Sequence, residues 1–286
     1  LEHNLDLKEG DEIVVTELDH HATLIPLQQL AKRKKMVLKV VPVNADWQIE
    51  ESVFKTFLNE KTKIISLIHG SNVVGTILPV SELIKSARST NPFIIVDAAQ
   101  TVGHIPISFN DFDADALFFS GHKTCGPTGV GVLVLQEKWI RTFVPPYAGG
   151  GTVSSVSKDK TIFLENAKKF EAGTPPIAEV IGLGAAIDYL QKSKVTKVIE
   201  HTQEVFGYLV ESLSKLSYVQ FFRSKENVGV LSFVVPGVHP HDVAYVLGEE
   251  GVAVRAGFQC AELISRKISS KMIPKASWSI SWIRNN

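Results

Sequence analysis

Cysteine is scarce: 286 residues hold two, Cys125 and Cys260, in neither CxxC nor CxxxC spacing. That excludes a disulfide framework and a cysteine-rich zinc site, and it fits a reducing compartment. Net charge is missing too. Thirty Lys and Arg balance thirty Asp and Glu, so no global field favours nucleic acid or an anionic membrane, and small, locally recognised ligands are the expected partners. Long apolar runs are also lacking. Stretches such as Phe93 to Val96 and Val130 to Leu135 fall far short of the roughly 18 residues of a membrane span, so a soluble protein is expected. The chain starts at Leu1 with neither a basic start nor an apolar signal core. The expectation is that any targeting peptide is absent or already removed, and that the location is cytoplasmic, with an organelle as the alternative.

What is present is an ordinary globular composition, 44% hydrophobic and 21% charged, long enough for about two domains. From residue 12 to about 135, apolar runs alternate with amphipathic segments, the pattern of a mainly parallel sheet flanked by helices. Strands are expected at Glu12 to Glu17, Val37 to Val43, Lys63 to His69, Phe93 to Asp97, Ala116 to Ser120 and Val130 to Leu135. Helices are expected at Ala22 to Lys34, Glu50 to Asn59 and Val80 to Arg88. Val144 to Ser157, with its Pro pair and Gly149-Gly150-Gly151, reads as a loop. Helices at Ile177 to Lys192 and Thr196 to Lys215 follow. Strands at Val219 to Arg223 and Gly229 to Val235, a helix at His241 to Glu250 and a strand at Ala253 to Arg255 then complete a smaller α+β domain. The expected division is a large α/β domain over 1–190 and a small one over 191–286.

The densest chemical cluster, Ser120-Gly121-His122-Lys123-Thr124-Cys125-Gly126, follows a buried strand. A lysine between glycines at a sheet edge can be desolvated, which lowers its proton affinity as a Schiff-base lysine requires; an ordinary turn with a solvated lysine is the alternative. It is not a P-loop, since Lys123 follows His122 rather than Gly. The strand before it ends in Asp97-Ala98-Ala99-Gln100, and ligands of open α/β sheets bind beyond the carboxyl ends of strands. Asp97 could therefore face the same pocket and keep a pyridinium nitrogen protonated, or merely cap a helix. His20-His21 and Ser71-Asn72-Val73-Val74-Gly75 lie at two further strand ends. His20 could stack on a flat ring or be a structural histidine, Asn72 could serve a ligand or a turn, and no spacing suggests a metal site.

Six ordered segments carry a resemblance over nearly the whole chain: Asp19-His20-His21-Ala22, Ser71 to Gly75, Asp97 to Gln100, Ser120 to Lys123, Phe170-Glu171-Ala172-Gly173-Thr174-Pro175, and Arg255-Ala256-Gly257-Phe258-Gln259-Cys260-Ala261. Together they resemble the class V aminotransferases of pyridoxal phosphate fold type I, and within them the group II cysteine desulfurases, which overlap with selenocysteine lyases. The resemblance implies that Lys123 carries pyridoxal phosphate as a Schiff base, with Asp97 on the pyridine nitrogen and His20 stacked on the ring. It implies Gln100 on the ring hydroxyl, Asn72 on that hydroxyl or the substrate carboxylate, and Ser120 and His122 on the phosphate. Thr174 would reach the phosphate of a neighbouring subunit in a homodimer. Cys260 would accept sulfur from L-cysteine (or selenium from L-selenocysteine), leaving alanine and a persulfide destined for an acceptor protein or iron–sulfur cluster assembly.

Arg255 and Lys275 are the candidate substrate-binding cations. Read from its surroundings alone, Cys260 could also be a buried structural thiol. Where the family usually has His-His, Arg, Asn and Tyr, this chain has Phe258-Gln259, Lys275, Thr23 and Cys125. The resemblance also implies an N-terminal segment before Leu1, with a Thr-bearing phosphate loop, and a helix after Asn286. Transamination, β-elimination and a non-catalytic scaffold are the competing readings.

Overall fold

A computed structural model describes residues 1–192, 195–270 and 279–282. The strand β1 (Glu12–Thr16) has no polar face: Ile13, Val14 and Val15 are all fully buried. Successive side chains of a strand point to opposite faces. Val14 enters one core cluster while Ile13 and Val15 enter another, so the sheet is covered on both sides, as a parallel sheet requires. Each buried Val or Ile contributes about 1.5–3 kcal/mol.

The helix α1 (His21–Lys34) covers one face with Leu24, Leu27 and Leu30. Lys32, Arg33 and Lys34 sit in its last turn, where cations complement the carbonyl end of the dipole. Next come β2 (Val37–Val41), α2 (Glu51–Thr56), β3 (Thr62–Ile68), α3 (Val80–Ala87), β4 (Phe93–Asp97), α4 (Phe109–Phe112), β5 (Ala116–Ser120) and β6 (Gly131–Leu135). The spatial order is β2-β1-β3-β4-β5-β6. The first five of these strands in chain order run parallel, and β6 is antiparallel to β5. On the other face, Phe54 of α2 and Leu83 and Ile84 of α3 join Leu67 and Val96 in the main core. The expected α/β class and all six strands of this sheet are present, with ends shifted by at most two residues.

The helix α5 (Glu137–Thr142) leads into a correction. Within the expected loop over Val144 to Ser157, the strand β7 (Val153–Val156) pairs antiparallel with β8 (Thr161–Phe163). The glycines end before this hairpin begins, and the short Val-Ser-Ser-Val run gains its pairing only across the turn closed by the Ser157 N–H on the Lys160 carbonyl, 2.8 Å.

Helices α6 (Ile177–Lys192) and α7 (Val195–Ser214), strands β9 (Gln220–Phe222) and β10 (Leu231–Val234), helix α8 (Pro240–Glu249) and strand β11 (Arg255–Gly257) follow as an α+β arrangement. With α9 (Glu262–Ser270) and β12 (Ser279–Trp282) they build an antiparallel sheet of order β11-β12-β10-β9. Phe206, Leu231 and Phe233 centre its own core. The strand expected at Ala253 to Arg255 lies two residues later, because pairing with β12 sets its register. The sequence pattern missed α9, whose Ser, Arg and Lys residues hide a narrow apolar face. Ile264 and Ile268 nevertheless pack into the core of the first sheet, and Lys267 pairs with Glu17 at 2.6 Å. Among the described residues no helix is long and apolar enough to cross a membrane.

Candidate active site

A cavity of about 910 Å³ opens at the carboxyl ends of β1, β3, β4 and β5. Each strand delivers its side chain through a tight local structure. After β1, His20 caps α1: its Nδ1 accepts the Ala22 N–H at 3.1 Å, which leaves the ring in the cavity wall. Burial, helped electrostatically by Lys123, His21 and Arg255, pushes this imidazole down to about 4. The ring is therefore neutral near pH 7.

After β3, the Ser71 hydroxyl accepts the N–H groups of Val73 and Val74 at 3.2 and 3.3 Å and folds the turn that carries Asn72. Gly75 closes that turn at φ +69°, and a Cβ there would lie 2.2 Å from the Asn227 amide. That amide donates to the Val74 carbonyl at 2.9 Å and accepts from Gly229 and Val230 at 2.8 and 2.7 Å, so the turn is wedged against the second sheet.

After β4, Asp97 is 3% exposed. One carboxylate oxygen accepts the Ala99 N–H at 2.9 Å, and the other accepts the Thr23 hydroxyl at 3.4 Å. Burial raises its proton affinity, against the pull of Ala99, Lys123 and Thr23. No helix begins directly after Asp97, so the helix-cap alternative is not realised: one oxygen serves a local turn and the other faces α1.

After β5, the turn is closed by the Gly126 N–H on the Gly121 carbonyl at 3.0 Å, and a Cβ at Gly126 would meet that oxygen at 2.7 Å. The turn holds Lys123 with its Nζ donating to Gln100 Oε1 at 3.3 Å. Desolvation lowers the lysine's proton affinity; Arg255 adds to this, while Asp97 and Cys260 oppose it. Ser120 and His122 pair at 2.8 Å on the rim.

The structure therefore brings His20, Asn72, Asp97, Gln100, Ser120, His122, Lys123 and Arg255 to one cavity. Cys260 stands beside that wall rather than in it, half-buried, with Sγ 3.8 Å from an Arg255 guanidinium nitrogen. Thr174 is exposed and separate from the cavity. Lys275 lies outside the described residues. Asn72 differs from expectation in one respect: its amide donates to the Gln259 carbonyl at 2.6 Å and its Oδ1 is buried without a partner. No group of three or more His, Cys, Asp or Glu suited to a metal occurs among the described residues.

Three participants escaped the sequence reading as site residues. Thr23 reaches Asp97 from α1. His104 donates from Nε2 to the Lys123 carbonyl at 3.1 Å. The His21 N–H donates to the Cys260 carbonyl at 2.7 Å, while its Nε2 accepts the Glu262 N–H at 3.1 Å. The first and last sat in or beside a flagged motif; nothing around Gly103-His104 distinguished it.

Comparison with known proteins gives this geometry a context. The family profile described as aminotransferase class-V matches residues 1–284. A probable cysteine desulfurase of Halalkalibacterium halodurans is 39% identical over 274 residues, covering 96% of this chain and 67% of the relative. The apo structure of a cysteine desulfurase from Thermococcus onnurineus superposes with a TM-score of 0.92 at 34% identity, covering 99% of this chain and 70% of the other. An Escherichia coli cysteine desulfurase in an S-sulfonic acid form gives 0.91 at 30% identity, covering 97% and 68%. The chain thus spans about two thirds of these relatives' length, and by both sequence and fold it belongs to the class V aminotransferase family.

Proposed function

We propose that this chain carries the site of a pyridoxal phosphate-dependent cysteine desulfurase, converting L-cysteine to L-alanine and leaving the sulfur on Cys260. The observation that carries this reading is the convergence of a desolvated lysine and a buried carboxylate on one cavity, with an arginine-flanked thiol beside its wall. The residues present fit the cofactor. Among the described residues Asp97 has no ion-pair partner, and a cationic ring N–H would offset its burial. His20 offers a neutral imidazole face, and the Ser120–His122 pair offers donors on the rim. Pyridoxal phosphate, when bound, withdraws electrons from the carbon bearing the substrate amine.

Each residue then has a distinct task. Asp97 would hold the proton at the ring nitrogen. Lys123, whose amine loses its proton more readily than in water, would anchor the cofactor and would be the base that takes up the α-hydrogen of cysteine as a proton. Arg255 orients the substrate or the Cys260 thiol. Cys260 Sγ bonds to the substrate sulfur as the carbon–sulfur bond breaks, and that carbon is protonated. Cysteine plus thiol yields alanine plus persulfide, so the balance requires no external oxidant or reductant.

Exposed Thr174, with Ile177, Val180 and Ile181 exposed just after it on α6, supports a homodimer in which this face meets a second copy. Delivery of the sulfur to an acceptor protein, and onward to iron–sulfur cluster assembly, is part of the same proposal. The test is incubation of the cofactor-loaded protein with L-cysteine, quantifying alanine and locating the persulfide by mass spectrometry. Equimolar alanine and sulfur with the persulfide on Cys260 is expected. A persulfide on Cys125, or alanine without persulfide, would overturn the reading.

A further inference from the structure

The loop between β11 and α9 is held in an unusual way. Gln259 and Cys260 both take left-handed backbone angles, φ 55° each, a conformation disfavoured by a Cβ and rare in consecutive residues. Something must hold it. The Gln259 side chain is 3% exposed, and its Nε2 donates to the Arg255 carbonyl at 2.8 Å and the Gly257 carbonyl at 3.3 Å. Its own carbonyl accepts from Asn72, across the cavity edge, at 2.6 Å. One side chain thus ties the backbone of Arg255 to the residue preceding Cys260, and its main chain ties the same point to the large sheet.

We propose that Gln259 is the positioning residue for Cys260: its amide closes the loop onto Arg255 and holds Sγ beside that guanidinium at the mouth of the cavity. Gln259 touches no reacting atom and acts through Cys260. The inference rests on the desulfurase reading for its catalytic consequence, whereas the loop-holding role stands on the geometry alone.

The experiment uses the pyridoxal phosphate-loaded protein and the variants Gln259→Glu, Gln259→Met and Gln259→His. Glu keeps the shape but faces two carbonyls with an acceptor. Met keeps the volume without donors. His restores one N–H. Iodoacetamide alkylation of Cys260, with Cys125 in the same molecule as reference, is followed by peptide mass spectrometry. In Gln259→Glu and Gln259→Met it is expected to accelerate about five- to tenfold relative to Cys125, the opening expected from one or two lost hydrogen bonds.

With cysteine as substrate, kcat is expected to fall about 10²-fold from misplacement of the thiol, while KM and the bound-cofactor absorbance stay put and Gln259→His recovers most of the rate. If Gln259→Glu does not fold, Gln259→Met carries the same comparison. Unchanged Cys260 alkylation in the folded donor-free variants would overturn the proposal, as would loss of cofactor absorbance or a raised KM at constant kcat. A parent protein that makes no alanine from cysteine would instead defeat the desulfurase reading, and the alkylation ratio would still decide the loop.

Discussion

The two halves of the site are held by different means. Lys123 and Asp97 hang from adjacent parallel strands whose interior residues, among them Val96 and Leu117, are buried in the main core. Cys260 hangs from a loop with left-handed backbone, held by hydrogen bonds from the Gln259 and Asn72 side chains and the His21 backbone N–H, and only from Ala261 onward does the segment enter the main core. Packing that spans a whole core holds a group with little freedom, whereas a handful of hydrogen bonds holds it within reach of thermal opening. The end proposed to anchor a cofactor is built on packed strands. The end proposed to receive sulfur and release it is fastened in part by hydrogen bonds that can be exchanged.

The sharpest way to break this comparison is at its two reactive groups. Lys123→Ala should abolish covalent cofactor retention, measured by borohydride reduction and peptide mapping. Turnover should fall at least about 10²- to 10⁴-fold from the loss of proton transfer alone; label on another lysine would refute the assignment. Cys260→Ala should leave the bound-cofactor spectrum intact yet remove persulfide and most alanine formation, whereas Cys125→Ala, in the Lys123 turn, should lower the rate only modestly. Sulfur release at the parent rate by Cys260→Ala would sink the division of labour.

The comparison also extends to stability. Leu67→Ala, in a fully buried position on β3 in the main core, should cost about 2–5 kcal/mol in denaturant unfolding. Removing the exposed Glu262–Arg266 pair that opens α9 should cost at most about 0.5 kcal/mol. Comparable losses would mean that the Cys260 segment is as deeply anchored as the sheet.

A smaller effect should appear with pH. Burial pushes His20 and His69 down to about 4. Their folded values lie below the ordinary histidine value near 6.5, so the unfolded chain binds more protons as the solution becomes acidic. Stability should be unaffected by these groups above about pH 6.5 and should decline as pH falls from there toward 4. His69 bonds Thr101 through Nδ1 at 2.9 Å, and His69→Gln should flatten the thermal-melting profile over that window. An unchanged slope would assign the loss to other groups.

Much of the rigid half was legible in the linear chain. A strand buried on both faces reads as an unbroken apolar run, and a ligand crevice lies at strand ends, so Asp97, Lys123, His20 and Asn72 could be placed on one edge from their positions after β4, β5, β1 and β3. The looser half was legible as the Arg255 to Ala261 motif but not as a conformation. The helix α9 went unseen because its apolar face has a partner only when Ile264 and Ile268 meet the large core. The hairpin of β7 and β8 went unseen because four residues cannot signal a pairing that depends on a turn.

The amino-acid sequence by itself thus determined the α/β class and the strand-end location of the candidate site, since periodicity and local composition dictate these. Tertiary structure alone decided which groups act on one another. It set Thr23 against Asp97 and His104 on the Lys123 carbonyl, and through Asn72 it clamped Gln259, 187 positions away in sequence. Those contacts arise between segments separated along the chain, and their energies depend on a burial and a distance that exist only after those segments have packed together.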